Sequence, residues 1–239
     1  TVLSRGLGDV YKRQLLSKLD LLQLFRPAHK VPKTVWSSEY PLNFKPKLST
    51  LLALVSGLWI FGTGEALLIG AGIGVSPWTA LAQGISEQTQ FTVGLSTFIV
   101  GVLVLFLWVP LREIPGIGTV SNIILISLSI DVMGPYIPVQ TNILLQVIQA
   151  TVGVILVAIG SAFYLTANLG PGPRDGWMTG IQKKTGFAIG KVRAGIELSV
   201  LFLGVFLGGT FGLGTVMFAV GIGPILAICL GITKKWSIN

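Results

Sequence analysis

The sequence is poor in the residues that build most catalytic and metal sites. Its 239 residues include one cysteine, Cys229, and one histidine, His29. These counts exclude a disulfide framework within the chain and a zinc cluster made of Cys and His ligands. The sequence pattern also offers no nucleophile with a neighbouring base. We therefore expect no enzyme activity, no cofactor and no metal site.

Charge is scarce as well, since only 11% of the residues are charged, against about 25% in soluble domains. The 9 acidic residues are outnumbered by 17 Lys and Arg. A basic excess can indicate nucleic-acid binding. Here, however, long uncharged stretches such as the one between Asp131 and Arg174 indicate a membrane protein. The expected partner is a lipid bilayer and not a nucleic acid.

Apolar runs fill most of the chain, which is 51% hydrophobic. A hydrocarbon core of about 30 Å needs roughly 20 apolar residues in a helix. The runs predict six spans. They lie at 49–70, 93–111, 118–137, 143–166, 189–208 and 213–233. Two intervening segments, 71–92 and 167–188, are too polar and too rich in Gly and Pro to be ordinary spans.

All 17 positive residues fall on one side of the membrane if the chain crosses it six times. Nine precede the first span, and Arg112 follows the second. Five more lie between the fourth and fifth spans or just inside the fifth, and two follow the sixth. The five are Arg174, Lys183, Lys184, Lys191 and Arg193, and the two are Lys234 and Lys235. The positive-inside rule then places both termini in the cytoplasm.

The chain repeats itself at an offset of 96 residues. The segment AGIGVSPWTALAQG at 71–84 aligns with ANLGPGPRDGWMTG at 167–180, and GIGTV at 116–120 aligns with GLGTV at 212–216. Each repeat holds three spans, an odd number, so the two halves should have opposite orientations in the bilayer. We expect an all-α membrane protein with six transmembrane helices in two inverted three-helix repeats, each with one broken segment.

This reading divides the chain into five parts. The first repeat spans 48–140 and the second spans 141–235, with a short C-terminal tail at 236–239. Residues 15–47 are expected to form a cytoplasmic arm, whose first part is either a short amphipathic helix on the lipid surface or disordered. Residues 1–14 resemble translated sequencing-adapter read-through, and we exclude them from the fold. The alternative is a short basic tail.

The two broken segments are candidate binding elements. A proline suits the first turn of a helix, where the amides have no partner within the helix. A helix that begins this way presents free amides and partial positive charge to an anion or a carbonyl group. The alternative is an interfacial connector, with Trp177 at the level of the lipid headgroups. The candidate residues are Ser76 and Pro77 in the first break and Gly170, Gly172, Pro173, Arg174 and Asp175 in the second.

Three acids lie within predicted spans, where ionisable residues are often functional. Glu197 lies one helical turn after Arg193, so an ion pair accounts for it. Glu65 and Asp131 lie in the same half of the bilayer, where two carboxylates could share a proton or hold a cation. The alternative for each is a local structural role, by snorkelling or by capping a helix.

Glu65 follows Gly62 and Gly64, which leave room for a helix or a solute to approach the carboxylate. An ionised carboxylate at this depth costs about 2.5–3.5 kcal/mol on insertion scales. Asn122, Thr119 or another polar group of the third span could offset this cost by a hydrogen bond. A carboxyl group in such a place can couple proton movement to a conformational change.

The duplicated six-span pattern and its breaks resemble the YczE/YitT-like family of bacterial integral membrane proteins. The resemblance rests on GPGPRDG at 170–176, its degenerate copy GVSPW at 74–78, and the GIGT and GLGT segments. It covers about residues 50–235 and implies a bacterial cytoplasmic membrane protein, but no particular activity. The first repeat departs from the pattern, because Trp78 and Thr79 replace the Arg–Asp pair.

Two classes of function fit these observations. The first is a secondary transporter or facilitator of a small solute, which Glu65 could couple to protons. The second is a non-transporting membrane partner that organises or regulates another membrane system. The substrate is not readable from the sequence, and self-association into a homo-oligomer is left open.

Overall fold

A computed structural model describes residues 27–237, apart from His29. Residues 1–14, the part of the arm before residue 27 and the end of the C-terminal tail lie outside the described residues. The described part forms eight α-helices and no β-strand, with one isolated bridge between Thr34 and Ser237. The prediction of an all-helical protein is confirmed.

The helices follow the apolar runs closely. In chain order they are α1 (Leu48–Ala71), α2 (Pro77–Gln88), α3 (Val93–Phe106), α4 (Ile117–Met133), α5 (Ile143–Ala167), α6 (Pro173–Thr185), α7 (Ile189–Phe206) and α8 (Leu213–Thr233). Five of them are long and apolar enough to cross a membrane, namely α1 and α5, and α3, α4 and α8 each with the turn that follows it. Helix α7 is not among them, because Lys191, Arg193 and Glu197 lie in its first half.

Each broken segment consists of a left-handed turn followed by a short helix. The C-cap residue of α1 is Gly72, with φ +70°, and that of α5 is Asn168, with φ +52°. The short helices α2 and α6 then begin on Pro77 and Pro173, as the proline positions predict. The N-cap differs between them, because Ser76 caps α2 whereas no side chain of the described residues caps α6.

Helices α1 and α5 form the centre of the bundle and cross on paired glycines. A Cβ added at Gly57 would lie 2.9 Å from the carbonyl oxygen of Gly160, and one added at Gly64 would lie 2.7 Å from that of Gly153. Small residues allow such close backbone approach, which is how helices pack in lipid. Any larger side chain at these positions would push the two helices apart.

The repeated pentamers dock onto the breaks. The N–H of Gly118, at the start of α4, donates to the Leu169 carbonyl at 2.7 Å, and the N–H of Gly214, at the start of α8, donates to the Ile73 carbonyl at 2.8 Å. The Thr119 hydroxyl also donates to the Pro171 carbonyl at 2.7 Å. Each pentamer therefore fixes the backbone of the break in the other half of the chain.

The outer helices pack unequally. Helix α3 packs along α4, where a Cβ added at Gly101 would lie 3.5 Å from the Cβ of Ile123. Helix α7 packs along α2 instead and has almost no contact with α8. At Gly190 and Gly223, on α7 and α8, an added Cβ would have no atom of residues 27–237, His29 apart, within 4 Å. A gap therefore separates α7 from α8.

The described part of the arm forms a strap across the end of α5. The indole N–H of Trp36 donates to the Thr166 hydroxyl at 3.0 Å, and the indole stacks on Phe163 with ring centroids 6.0 Å apart. The backbone N–H of Ser38 donates to the Ala167 carbonyl at 3.0 Å. These contacts hold the strap over the C-terminal end of a central helix.

Candidate functional site

A cavity of about 210 Å³ lies where the two broken segments meet. The first residues of α2 and of α6 face it, together with parts of α1, α4, α5, α7 and α8. At roughly 30 Å³ of liquid volume per water molecule, it has room for a small solute. Its lining residues include seven of the sequence-predicted candidates. These are Ser76, Pro77, Asn122, Gly172, Pro173, Arg174 and Asp175.

Glu65 lies behind the cavity wall and is buried. The Thr79 hydroxyl donates to its Oε2 at 2.8 Å, and the Ser76 hydroxyl lies 3.0 Å from Oε1 and 3.1 Å from Oε2. The hydrogen-bond partners of this carboxylate come from the first turn of α2 and not from Asn122 or Thr119 of α4. Glu65 therefore reaches the cavity through Ser76, which lines it.

Arg174 provides the cationic face of the cavity. Its guanidinium carbon lies 5.1 Å from the centroid of the Trp78 ring, within the range of a cation–π contact. Trp78 itself packs edge-on against Trp177, with centroids 6.3 Å apart. The first turns of α2 and α6 are thus joined by an aromatic and cationic stack. Arg174 forms no hydrogen bond or ion pair with another described residue.

Two further hydrogen-bonded pairs, of which the second is an ion pair, line the cavity. The Tyr164 hydroxyl of α5 donates to Oδ2 of Asp175 at 2.7 Å. On α7, Nε of Arg193 donates to Oε1 of Glu197 at 2.9 Å, which confirms the ion pair that the sequence spacing predicts. These contacts orient both carboxylates without the help of Arg174.

Asp131 and Gly170 lie elsewhere. The Asp131 carboxylate accepts from the Thr92 hydroxyl and, at 2.8 Å, from the Gly94 N–H, so it caps the first turn of α3. Gly170 adopts φ +108° in the break and borders a second cavity of about 340 Å³ under the strap. The structure thus keeps Asp131 apart from the cavity and gives it the capping role left open above.

Sequence reasoning missed several residues at the site. Tyr164 and Ser161 lie in the middle of a long apolar run and line the cavity from α5. Trp78 and Thr79 looked like the loss of an Arg–Asp pair, yet they bind Arg174 and Glu65. The available signal was the 96-residue offset, because Ser161 is the repeat counterpart of Glu65.

Residues 48–231 match a family described as a family of unknown function (DUF6198). The chain belongs to this family. An uncharacterized protein of Haemophilus influenzae is 39% identical to this DUF6198 protein over 205 residues, which cover 86% of the chain and 93% of the relative. The uncharacterized membrane protein YczE of Bacillus subtilis is 36% identical over 177 residues, covering 73% of the chain and 82% of YczE.

A more distant relative, the uncharacterized protein YyaS of Bacillus subtilis, is 26% identical over 180 residues, covering 73% of the chain and 85% of YyaS. No solved structure matches the chain. The resemblance to YczE-like proteins is confirmed, and the DUF6198 protein is a membrane protein, in agreement with its apolar helices.

Proposed function

We propose that this DUF6198 protein is a secondary transporter or facilitator of a small solute, which binds in the cavity between α2 and α6. The observation that carries the proposal is that the first turns of α2 and α6 meet at one cavity, which carries polar and charged side chains inside the apolar bundle. Transporters commonly build solute sites from discontinuous helices near the middle of the bilayer. Polar side chains at such a depth are costly and are usually retained for function.

The proposal treats the two halves as inverted three-span repeats, with α7 as the sixth span. The beginnings of α2, α3 and α4 lie 96 residues before those of α6, α7 and α8. The contacts obey the same offset. The Gly57–Gly160 contact becomes Gly153–Gly64, and the Gly118–Leu169 hydrogen bond becomes Gly214–Ile73. Reciprocal pairs of this kind are what a two-fold axis between the halves produces.

The halves differ in one respect that suits transport. Helices α3 and α4 pack together, whereas their counterparts α7 and α8 stand apart, and residues of both α7 and α8 line the cavity. In alternating access the two repeats exchange conformations around a fixed site. The exchanged state would close α7 against α8 and separate α3 from α4, so the gap would lie in the first repeat and not in the second.

The proposed topology places both termini in the cytoplasm of a bacterial cell, because every Lys and Arg then lies on that side. In this topology α6 lies in the cytoplasmic half of the membrane and α2 in the outer half. Cysteine-accessibility scanning in a Cys229→Ala background tests this arrangement. Labelling near 75–90 from the cytoplasm, or near 174–186 from outside, contradicts it.

Glu65 is the candidate for proton coupling. Its carboxylate is buried, is held by two hydroxyl groups and lies one side chain away from the cavity. Arg174 attracts it electrostatically, yet the two form no ion pair within the part of the chain described. A change of charge at Glu65 would therefore alter the field at Arg174.

The functional test is solute flux into proteoliposomes with a panel of small solutes. A cysteine pair at Gly101 and Ile123 provides the control, because the Cβ atoms lie 3.5 Å apart, within the range of a disulfide. Flux that oxidation of this pair abolishes and reduction restores supports transport by exchange of the repeats. Flux unaffected by the disulfide contradicts that mechanism, and absence of flux across the panel favours a non-transporting role.

A further inference from the structure

We infer that the cavity binds a carboxylate group of its solute, through the guanidinium of Arg174 and the first turn of α6. The inference rests on the proposed function, since it assigns the chemical class of solute for the same cavity. It depends on two sets of N–H donors, the guanidinium of Arg174 and the first amides of α6. Neither set has a hydrogen-bond acceptor in the described part of the chain.

The first feature is Arg174 itself. A guanidinium group has five N–H donors in a planar fork that matches a carboxylate. The two ion pairs of the described chain, Lys183–Glu113 and Arg193–Glu197, do not involve it. Within the described residues, the guanidinium lies over the face of Trp78, which attracts its positive charge but offers no oxygen to accept its N–H groups.

The second feature is the uncapped start of α6. In α2, the hydroxyl of Ser76 accepts from the Thr79 N–H at 3.4 Å. In α6, the repeat counterpart of Ser76 is Gly172, which has no side chain to accept a hydrogen bond. Helix ends inside a protein normally find a partner in a side chain, water or a ligand. The N–H groups of Arg174 and Asp175 donate to no described acceptor.

The two halves differ at the starts of α2 and α6, and this difference indicates that the solute binds at α6. In the first half, Ser76 lies at the start of α2, and its hydroxyl donates to the carboxylate of Glu65. In the second half, Gly172 and Ser161 stand at the counterpart positions and line the cavity. A Cβ added at Gly172 would lie 3.4 Å from Oδ2 of Asp175, so a solute carboxylate would bind beside that acid. A carboxylate from the solute would fill at α6 the role that Glu65 fills at α2. It would also compete with Glu65 for the charge of Arg174.

The acids around the cavity limit the class further. Asp175 and Glu197 also line it, although Tyr164 and Arg193 hold their carboxylates. A solute with several negative charges would meet both of them. The geometry therefore suits a small solute with a single carboxylate, either a monocarboxylate or a zwitterion whose amine faces Asp175.

Thermal unfolding of the purified full chain in detergent measures binding, because a ligand of the folded state raises Tm with its concentration. The probes are acetate, lactate and glycine, with chloride and methylammonium for comparison. We expect a carboxylate to stabilise the protein and methylammonium not to. Acetate and glycine separate the monocarboxylate source from the zwitterionic one.

Arg174→Gln should weaken carboxylate binding about tenfold or more, since it removes hydrogen bonds between two charged groups. Arg174→Lys should lose less, because an ammonium keeps the charge but not the bidentate fork. The matched control is Arg112→Gln, at an exposed arginine outside the cavity, which should bind as the wild type does. If Arg174→Gln does not fold, Arg174→Lys and Trp78→Phe carry the comparison.

Several outcomes overturn the inference: no carboxylate binds, chloride binds through Arg174 and carboxylates do not, or Arg174→Gln leaves affinity unchanged. Flux in proteoliposomes separates this failure from that of the proposed function. Flux of a cationic or neutral solute that does not need Arg174 refutes the carboxylate site and keeps transport. Carboxylate binding without flux keeps the site and refutes transport.

Discussion

Replacing Glu65 with Gln removes the one charge that is buried behind the cavity while keeping the shape of the side chain. Hydrogen bonds to a charged group contribute about 1.5–3 kcal/mol each, and those to a neutral group about 0.5–1.5. The loss at Ser76 and Thr79 is therefore a few kcal/mol at most. It is offset by about 2.5–3.5 kcal/mol that a charge at membrane depth costs. We expect Glu65→Gln to fold and insert normally.

Activity should respond differently from stability. A glutamine cannot bind and release a proton, so the variant should lose the pH dependence of solute flux in proteoliposomes. Glu65→Ala is the structural comparison, because it deletes the acceptor. Ser76 and Thr79 can then bond to each other at 2.9 Å, which leaves one hydroxyl without an acceptor at a cost of about 1–3 kcal/mol. If Glu65→Gln keeps full flux and the same pH profile, Glu65 is a packing residue and proton coupling is wrong.

Three other predictions concern the framework. Gly160→Ala should lower the free energy of unfolding by about 1–3 kcal/mol, because its Cβ would lie 2.5 Å from the Gly57 carbonyl oxygen. Gly190→Ala is the control and should leave the free energy of unfolding unchanged, because no atom of the described residues lies within 4 Å of its Cβ. Thermal unfolding of the two variants compares them, and equal stability would contradict the glycine crossing. Asp131→Ala should cost about 1 kcal/mol by uncapping α3 and leave solute affinity unchanged; a loss of affinity would place it in the site after all. Trp36→Ala should lower the free energy of unfolding by about 1–3 kcal/mol, because it removes one hydrogen bond and one aromatic contact. It should also speed tryptic cleavage at Lys33. Unchanged cleavage would mean that Trp36 does not anchor the strap.

The helices could be read from the sequence because their causes are local. Apolar runs set the spans, and Pro77 and Pro173 set the starts of α2 and α6, so the predicted and observed ends agree within a few residues. The ion pair of Arg193 and Glu197 is also local, one helical turn apart. Features of this kind depend on neighbours along the chain.

The site could be predicted only in part, because its contacts join distant segments. The sequence nominated Arg174 and Glu65 but not Tyr164, whose hydroxyl becomes relevant only when α5 carries it to Asp175. The capping contact of Asp131 could not be predicted, because its partner, Gly94, lies 37 positions away. Spacing along one helix cannot reveal which break a carboxylate will face.

The exchange of conformations between the halves is the central claim, and a second cysteine pair tests it most directly. Glu197 and Ala219 are the repeat counterparts of Gly101 and Ile123, and they lie on α7 and α8, which stand apart in this structure. In a Cys229→Ala background, we predict that Glu197→Cys with Ala219→Cys forms a disulfide in the membrane. If no disulfide forms under conditions that cross-link Gly101→Cys with Ile123→Cys, the two halves do not exchange, and the account is contradicted.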